Sequence, residues 1–200
     1  MTAVAGGRFA GTRRYWLLTS VYLVVLFGMQ PWLGVAVDVF KERWSAEALD
    51  VTVDIIVGLS GLMLITFLAG LLRVASRAEG ASLLLSLAIY LGGAYHTTVP
   101  QERLHYIEYG LLAVLLYVGF ASTPRVRGML GLAKGDDGWQ RLAALTFAVG
   151  AGFGYLDELL QILWERRYFD WLDVRLNAGA TLLGLMIAVP VVRIWRLGRQ

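Results

Sequence analysis

Three short groups of polar residues have the types and spacings that chemistry needs. His105, Glu108 and Tyr109 stand at i, i+3 and i+4. Asp157 and Gln161 stand at i, i+4 with Glu158 beside them, and Asp173 and Asn177 repeat the i, i+4 spacing just after Arg167 and Asp170. On helices each group shares one face. Histidine titrates near neutrality, so His105 beside Glu108 or Asp157 suits general acid–base work, with Glu158 tuning the pair. Tyr109, Gln161, Asp170, Asp173 and Asn177 are the groups that would bind and orient a substrate.

Several carboxylates gathered in a low-dielectric site need compensation. Arg167, Arg175, Arg103 or Arg166 could neutralise them, some could stay protonated, or a cation could bind. Acid and amide oxygens suit a hard divalent cation, and His105 would extend the choice to zinc or manganese. No recognised metal spacing is present, and a buried network of ion pairs and hydrogen bonds that fixes helix register is the preferred reading. Arg167 could hold a phosphate or carboxylate through two parallel hydrogen bonds; its alternative is a salt bridge to Asp170 or Asp173. N-capping of a helix accounts for at least one of those two aspartates. No nucleophilic serine motif, phosphate-binding glycine loop or zincin signature occurs, so any catalysis is acid–base, with or without a metal.

The elements that must position these groups are long and apolar. Hydrophobic residues make up 58% of the chain and charged residues only 16%, with a mean hydropathy of +0.61, which excludes an ordinary soluble domain. There is no cysteine, hence no disulfide framework, thiolate nucleophile or cysteine-ligated metal. A hydrocarbon core of about 30 Å needs about 20 helical residues. Windows of that length recur at 15–37, 51–72, 81–99, 104–121, 142–164 and 171–195, predicting an all-α polytopic bundle of six spans.

Lysine and arginine set the expected orientation. Arg8, Arg13, Arg14, Arg73, Arg77, Arg125, Arg127, Lys134, Arg141, Arg193, Arg196 and Arg199 fall on one side and only Lys41, Arg43, Arg103, Arg166, Arg167 and Arg175 on the other. That bias predicts both termini inside and segment 157–177 facing outward. The basic residues read as topology signals, not as a nucleic-acid surface. The first apolar run precedes a small-residue triplet, Gly34-Val35-Ala36, but is longer than the about 7–15 residues of a signal-peptide core, so a retained anchor is expected. Segment 122–140 reads as an inner linker with turn chemistry at Thr123-Pro124 and 135–138. Gly150, Gly152 and Gly154 lie inside a span with no preceding strand, which favours close helix packing over a dinucleotide loop.

Helical rise then places His105 and Glu108, Asp157 and Gln161, and Asn177 within about 5–10 Å of the outer ends of their spans. Together they describe an outward-opening polar cup, which Asp54, Tyr95 and His96, at comparable depth, are candidates to join. Tyr155, Trp164, Tyr168 and Trp171 belong by default to the interfacial aromatic belt.

These residues also resemble the VanZ-like family of membrane proteins. The resemblance runs through His105 and Tyr109 in ERLHYIEYGLL, Asp157-Glu158 and Gln161 in YLDELLQ, and Arg167, Asp170, Asp173, Asn177 and Gly184 in RRYFDWLDVRLNAGATLLG. It covers about the last half of the chain. Two features depart from it: Glu165 stands where the family usually has proline, and Gly179-Ala180 follows the asparagine. The resemblance implies a four-span core over 81–200, two added spans over 1–80, and a connection to teicoplanin resistance through the family's namesake. Residues and resemblance together set the expectation of a bacterial cytoplasmic (inner) membrane protein acting by acid–base chemistry on a lipid or lipid-linked saccharide headgroup. The alternatives are a non-catalytic protein that binds a lipid, glycolipid or glycopeptide antibiotic, and a transporter or flippase.

Overall fold

A computed structural model describes residues 3–132, 138–163 and 168–197. Every regular element among them is helical: α1 (Ala3–Arg43), α2 (Ala46–Leu72), α3 (Arg77–His96), α4 (Pro100–Ser122), the short α5 (Pro124–Met129), α6 (Trp139–Gln161) and α7 (Trp171–Leu197). All except α5 are long and apolar enough to cross a membrane. The chain is therefore an all-α, six-span membrane protein. Backbone polar groups have no water to bond in hydrocarbon, and helices satisfy them within each segment.

Local chemistry sets the helix starts. Ser76 and Glu79 form a reciprocal capping box at the head of α3, with Glu79 Oε2 accepting from the Ser76 backbone at 2.9 Å. Pro100 occupies the first turn of α4, where its missing N–H costs nothing. The Asp170 carbonyl accepts from Val174 N and its Oδ1 from Leu172 N at 2.7 Å, so Asp170 caps α7. Two boundaries differ from the expected ones. Helix α1 continues through Pro31 to Arg43, well past residue 37, because one lost backbone bond is tolerated when the alternative is unpaired groups in lipid. The inner linker contains α5, opened by Pro124 and followed by Gly131 at φ +64°.

Helix α4 is the centre of the bundle. Half of its apolar window is buried, against 11% for α1 and 17% for α2, so the first two helices give most of their surface to lipid. Val24, Trp32 and Met63 are among their outward side chains. The core joins Tyr109, Leu112, Leu116 and Tyr117 of α4 to Leu142 of α6 and Ala180, Leu185 and Ala188 of α7. Small residues permit that approach. A β-carbon on Gly184 would lie 2.2 Å from the Gly110 carbonyl oxygen, and one on Gly154 would lie 2.6 Å from Asn177 Cβ. The expected close packing at Gly150 and Gly154 is thus present, with Gly150 against Thr181.

Helix α1 is fastened to this core along its length. Thr12 donates to the Ser122 carbonyl at 2.9 Å, Trp16 Nε1 to Thr123 Oγ1 at 2.8 Å, and the Tyr22 hydroxyl to the Glu108 carbonyl at 2.9 Å.

Candidate functional site

The site lies at the end of the bundle where α6 finishes and α4 and α7 begin. Helical phase sets its geometry: Gly154, Asp157, Glu158 and Gln161 are all buried on one face of α6, as the 3.6-residue period requires for i, i+3, i+4 and i+7. His105 and Tyr109 are the buried pair on the first turns of α4. Asn177, fully buried, faces them from α7, its Nδ2 donating to the Gly154 carbonyl at 3.4 Å.

Two amide–carboxylate pairs organise the floor. Gln30 Nε2 of α1 donates to Asp157 Oδ2 at 3.0 Å, and Gln161 Nε2 donates to Glu158 Oε1 at 2.5 Å. The other Glu158 oxygen accepts from the backbone N–H of Asp170 at 3.2 Å, so one carboxylate ties the end of α6 to the start of α7. Tyr109, also fully buried, is close enough to Asp157, Glu108 and Glu158 to feel their charge. Asp157 and Glu158 are both fully buried. A charged group withdrawn from water this completely must be held by such bonds or remain protonated.

The rim is more open. His105 Nδ1 is 3.7 Å from Glu108 Oε2, and the Glu108 side chain is 31% exposed. The His105 and Tyr109 rings are 6.1 Å apart, inclined by 31°. Glu102, one turn before His105, interacts electrostatically with both Asp173 and Asp170. Asp170 is exposed and Asp173 half-buried. The site is therefore a buried hydrogen-bonded floor beneath an acidic, accessible rim. A proton donor and acceptor sit at the boundary between the two.

Most of the sequence-predicted set comes together: His105, Glu108, Tyr109, Asp157, Glu158, Gln161, Asp170, Asp173 and Asn177 share this end of the bundle. Arg167 lies outside the described residues, as do Trp164 and Arg166. Arg103 is committed elsewhere, donating to Asp50 at 3.1 Å, to Asp54, and from Nε to the Thr97 carbonyl at 2.8 Å. Asp54 accordingly joins this ion-pair cluster between α2 and α4 and not the cup. Tyr95 and His96 stack edge-to-face on each other at 5.4 Å and are exposed, so they too stand apart. Arg175 is exposed.

Two members were not legible as site residues. Gln30 is the lone amide of its span and carried a signal only as a polar residue at membrane depth. Glu102 stands three residues before His105 and shares its helical face. Among the described residues no three His, Cys, Asp or Glu side chains gather closely enough to hold a metal ion. Three interhelical cavities among the described residues, of about 510, 420 and 250 Å³, are apolar and lined by other residues. Comparison with protein-family models, with curated proteins and with solved structures finds no match to this chain.

Proposed function

We propose that this protein is a VanZ-like enzyme of the bacterial cytoplasmic membrane that acts by acid–base chemistry on the polar head of an envelope lipid or lipid-linked saccharide. Both termini lie inside, and the site faces outward. The observation that carries the reading is the His105–Glu108 pair at the boundary between a buried polar floor and an accessible rim, one to two turns inside the ends of its helices. That is headgroup depth: a polar head reaches the pair from the rim while its tails stay in the bilayer. His105 transfers the proton. Glu108 sets its basicity, the Gln30–Asp157 and Gln161–Glu158 pairs fix the floor, and Asp173 and Asn177 orient the substrate.

The test is to incubate purified protein with a total envelope-lipid extract, with and without a chelator, and to follow lipid masses against the His105→Ala, Asp157→Asn double variant. A mass shift made by wild type alone supports the enzyme and identifies the substrate class. Equal turnover by the double variant refutes it.

The second reading is a binding protein that holds a lipid, glycolipid or glycopeptide without altering it. The completed amide–carboxylate bonds of the floor favour it, since they leave the inner carboxylates engaged without a substrate. It predicts saturable binding with unchanged ligand mass. A transporter is less well supported, because each spanning helix is continuous, α1 and α7 even through Pro31 and Pro190.

A further inference from the structure

Two of the cavities adjoin beneath α2, from the end of the bundle opposite the candidate site to its middle. The first, about 420 Å³, is framed by Tyr15 of α1, Leu71 of α2, Val118 of α4 and Trp195 of α7. The second, about 250 Å³, shares Phe67 and Val191 with it and reaches Tyr90, whose hydroxyl is bonded to that of Ser60 at 2.6 Å. Ser60, Leu64, Phe67 and Leu71 line the pair at i, i+4, i+7 and i+11, a single face of α2. Stripes of the same length, from Ile107 to Val118 on α4 and from Leu183 to Ile194 on α7, complete the walls. At about 1.5 Å per residue the crevice is about 16 Å deep, which is one leaflet of a hydrocarbon core about 30 Å thick. Its lining is almost wholly apolar, and Phe67 and Trp195, each about half-exposed, open it sideways to lipid.

The mouth of this crevice carries charge of one sign. Arg14 precedes Tyr15, Arg73 caps α2 two residues past Leu71, and Arg125 follows Ser122, another lining residue, by three. All three are exposed, and none forms an ion pair among the described residues. Glu79 is the acid of this end among those residues, and it is bonded to Ser76 and paired with Arg193 at 3.9 Å. Three helix ends thus bring positive charge to one apolar opening. Tyr15 and Trp195 stand at the same level, where amphipathic aromatic rings meet lipid headgroups. Basic openings between spanning helices recruit anionic lipid heads, and apolar space that no chain fills forfeits dispersion contacts along its whole lining.

We propose that this crevice seats one anionic phospholipid, with a single acyl chain laid along the α2 stripe and the phosphate among Arg14, Arg73 and Arg125. The chain fills the space between α2 and the α4–α7 core, so the lipid is a structural part of the bundle. Zwitterionic lipids supply the same chain, but their ammonium opposes the three arginines. This seat is at the other end of the bundle from the headgroup chemistry proposed above and stands or falls without it.

The experiment reconstitutes the full chain in nanodiscs of equal parts phosphatidylglycerol, phosphatidylethanolamine and phosphatidylcholine, extracts it into mild detergent and quantifies the retained lipid by native mass spectrometry. One phosphatidylglycerol should stay bound per chain. Each of Arg14→Gln, Arg73→Gln and Arg125→Gln should lower its enrichment over the zwitterionic lipids about fivefold, the worth of one arginine beside an anionic head. A phosphatidylglycerol bearing a mid-chain diazirine should crosslink on irradiation to the stripes within 60–71, 107–118 and 183–194. Val118→Trp, which fills the crevice and leaves the arginines in place, should abolish both the retention and those crosslinks. Should Val118→Trp fail to fold, the wild-type crosslinks and the arginine series decide. Equal retention of the three lipids, an enrichment that all three arginine changes leave intact, or crosslinks spread over the outward faces of α1 and α2 overturns the proposal.

Discussion

Replacing Gln30 by leucine tests whether the first helix is part of the site or only an anchor. The side chain is 5% exposed and its amide donates to a carboxylate that is fully buried. Leucine keeps the approximate volume and suits the surroundings, so the change removes the polar amide, and the cycle with Asp157 isolates this hydrogen bond. Polar side-chain bonds inside membrane proteins average about 0.6 kcal/mol, whereas bonds to charged groups contribute about 1.5–3 kcal/mol. The Asp157 acceptor places this pair towards the upper range if it is ionised and near the lower figure if it is protonated. Gln30→Leu should therefore reduce the folded-to-unfolded ratio by about 10- to 150-fold in the first case and by about threefold in the second. The measurement is reversible unfolding in bicelles of wild type, Gln30→Leu, Asp157→Leu and the double variant. A coupling free energy above about 1 kcal/mol confirms the contact and an ionised acceptor. Additivity within about 0.5 kcal/mol, the margin for independent sites, would refute the link between α1 and the site.

Close packing gives a paired expectation on one helix type. Gly184→Ala would drive a β-carbon to 2.2 Å from the Gly110 carbonyl, which is backbone and cannot rotate away, while Gly152 has nothing within 4 Å. The first should cost about 1–3 kcal/mol or more through overpacking, and Gly152→Ala should be neutral or stabilise by about 0.5–1 kcal/mol, both read from unfolding in detergent. Arg103→Ala removes the clamp on Asp50 and Asp54, but those carboxylates are 49% and 61% exposed. The loss should be about 1 kcal/mol or less and should shrink in high salt, as a melting series in sodium chloride would reveal. His105→Gln should leave the melting temperature within a few degrees and abolish headgroup turnover; a variant with full turnover would remove histidine from the chemistry.

The spans and the face of each polar group were legible because both depend on distances along the chain. Twenty apolar residues span a bilayer wherever their neighbours lie, and Asp157 and Gln161 share a face of any α-helix that contains them. Asp170 as a helix cap was equally local. The resemblance drew attention to the same residues but supplied no contact between them. Which helix each face meets was a different matter. That depends on how far each helix is rotated and how closely it approaches, and here Gly184 against Gly110 and Gly154 against Asn177 set both. Only the packed bundle brought Gln30 onto Asp157, 127 residues away, and turned Arg103 from the cup towards α2. Only packing, too, buried Asp157 and Glu158 beneath a rim of Glu102, Asp170 and Asp173. The sequence by itself determined that this chain crosses a membrane with its polar residues near one end. The tertiary structure decided which of them touch, because side-chain partnership across helices is a property of interhelical distance and phase that no periodicity along a single helix records.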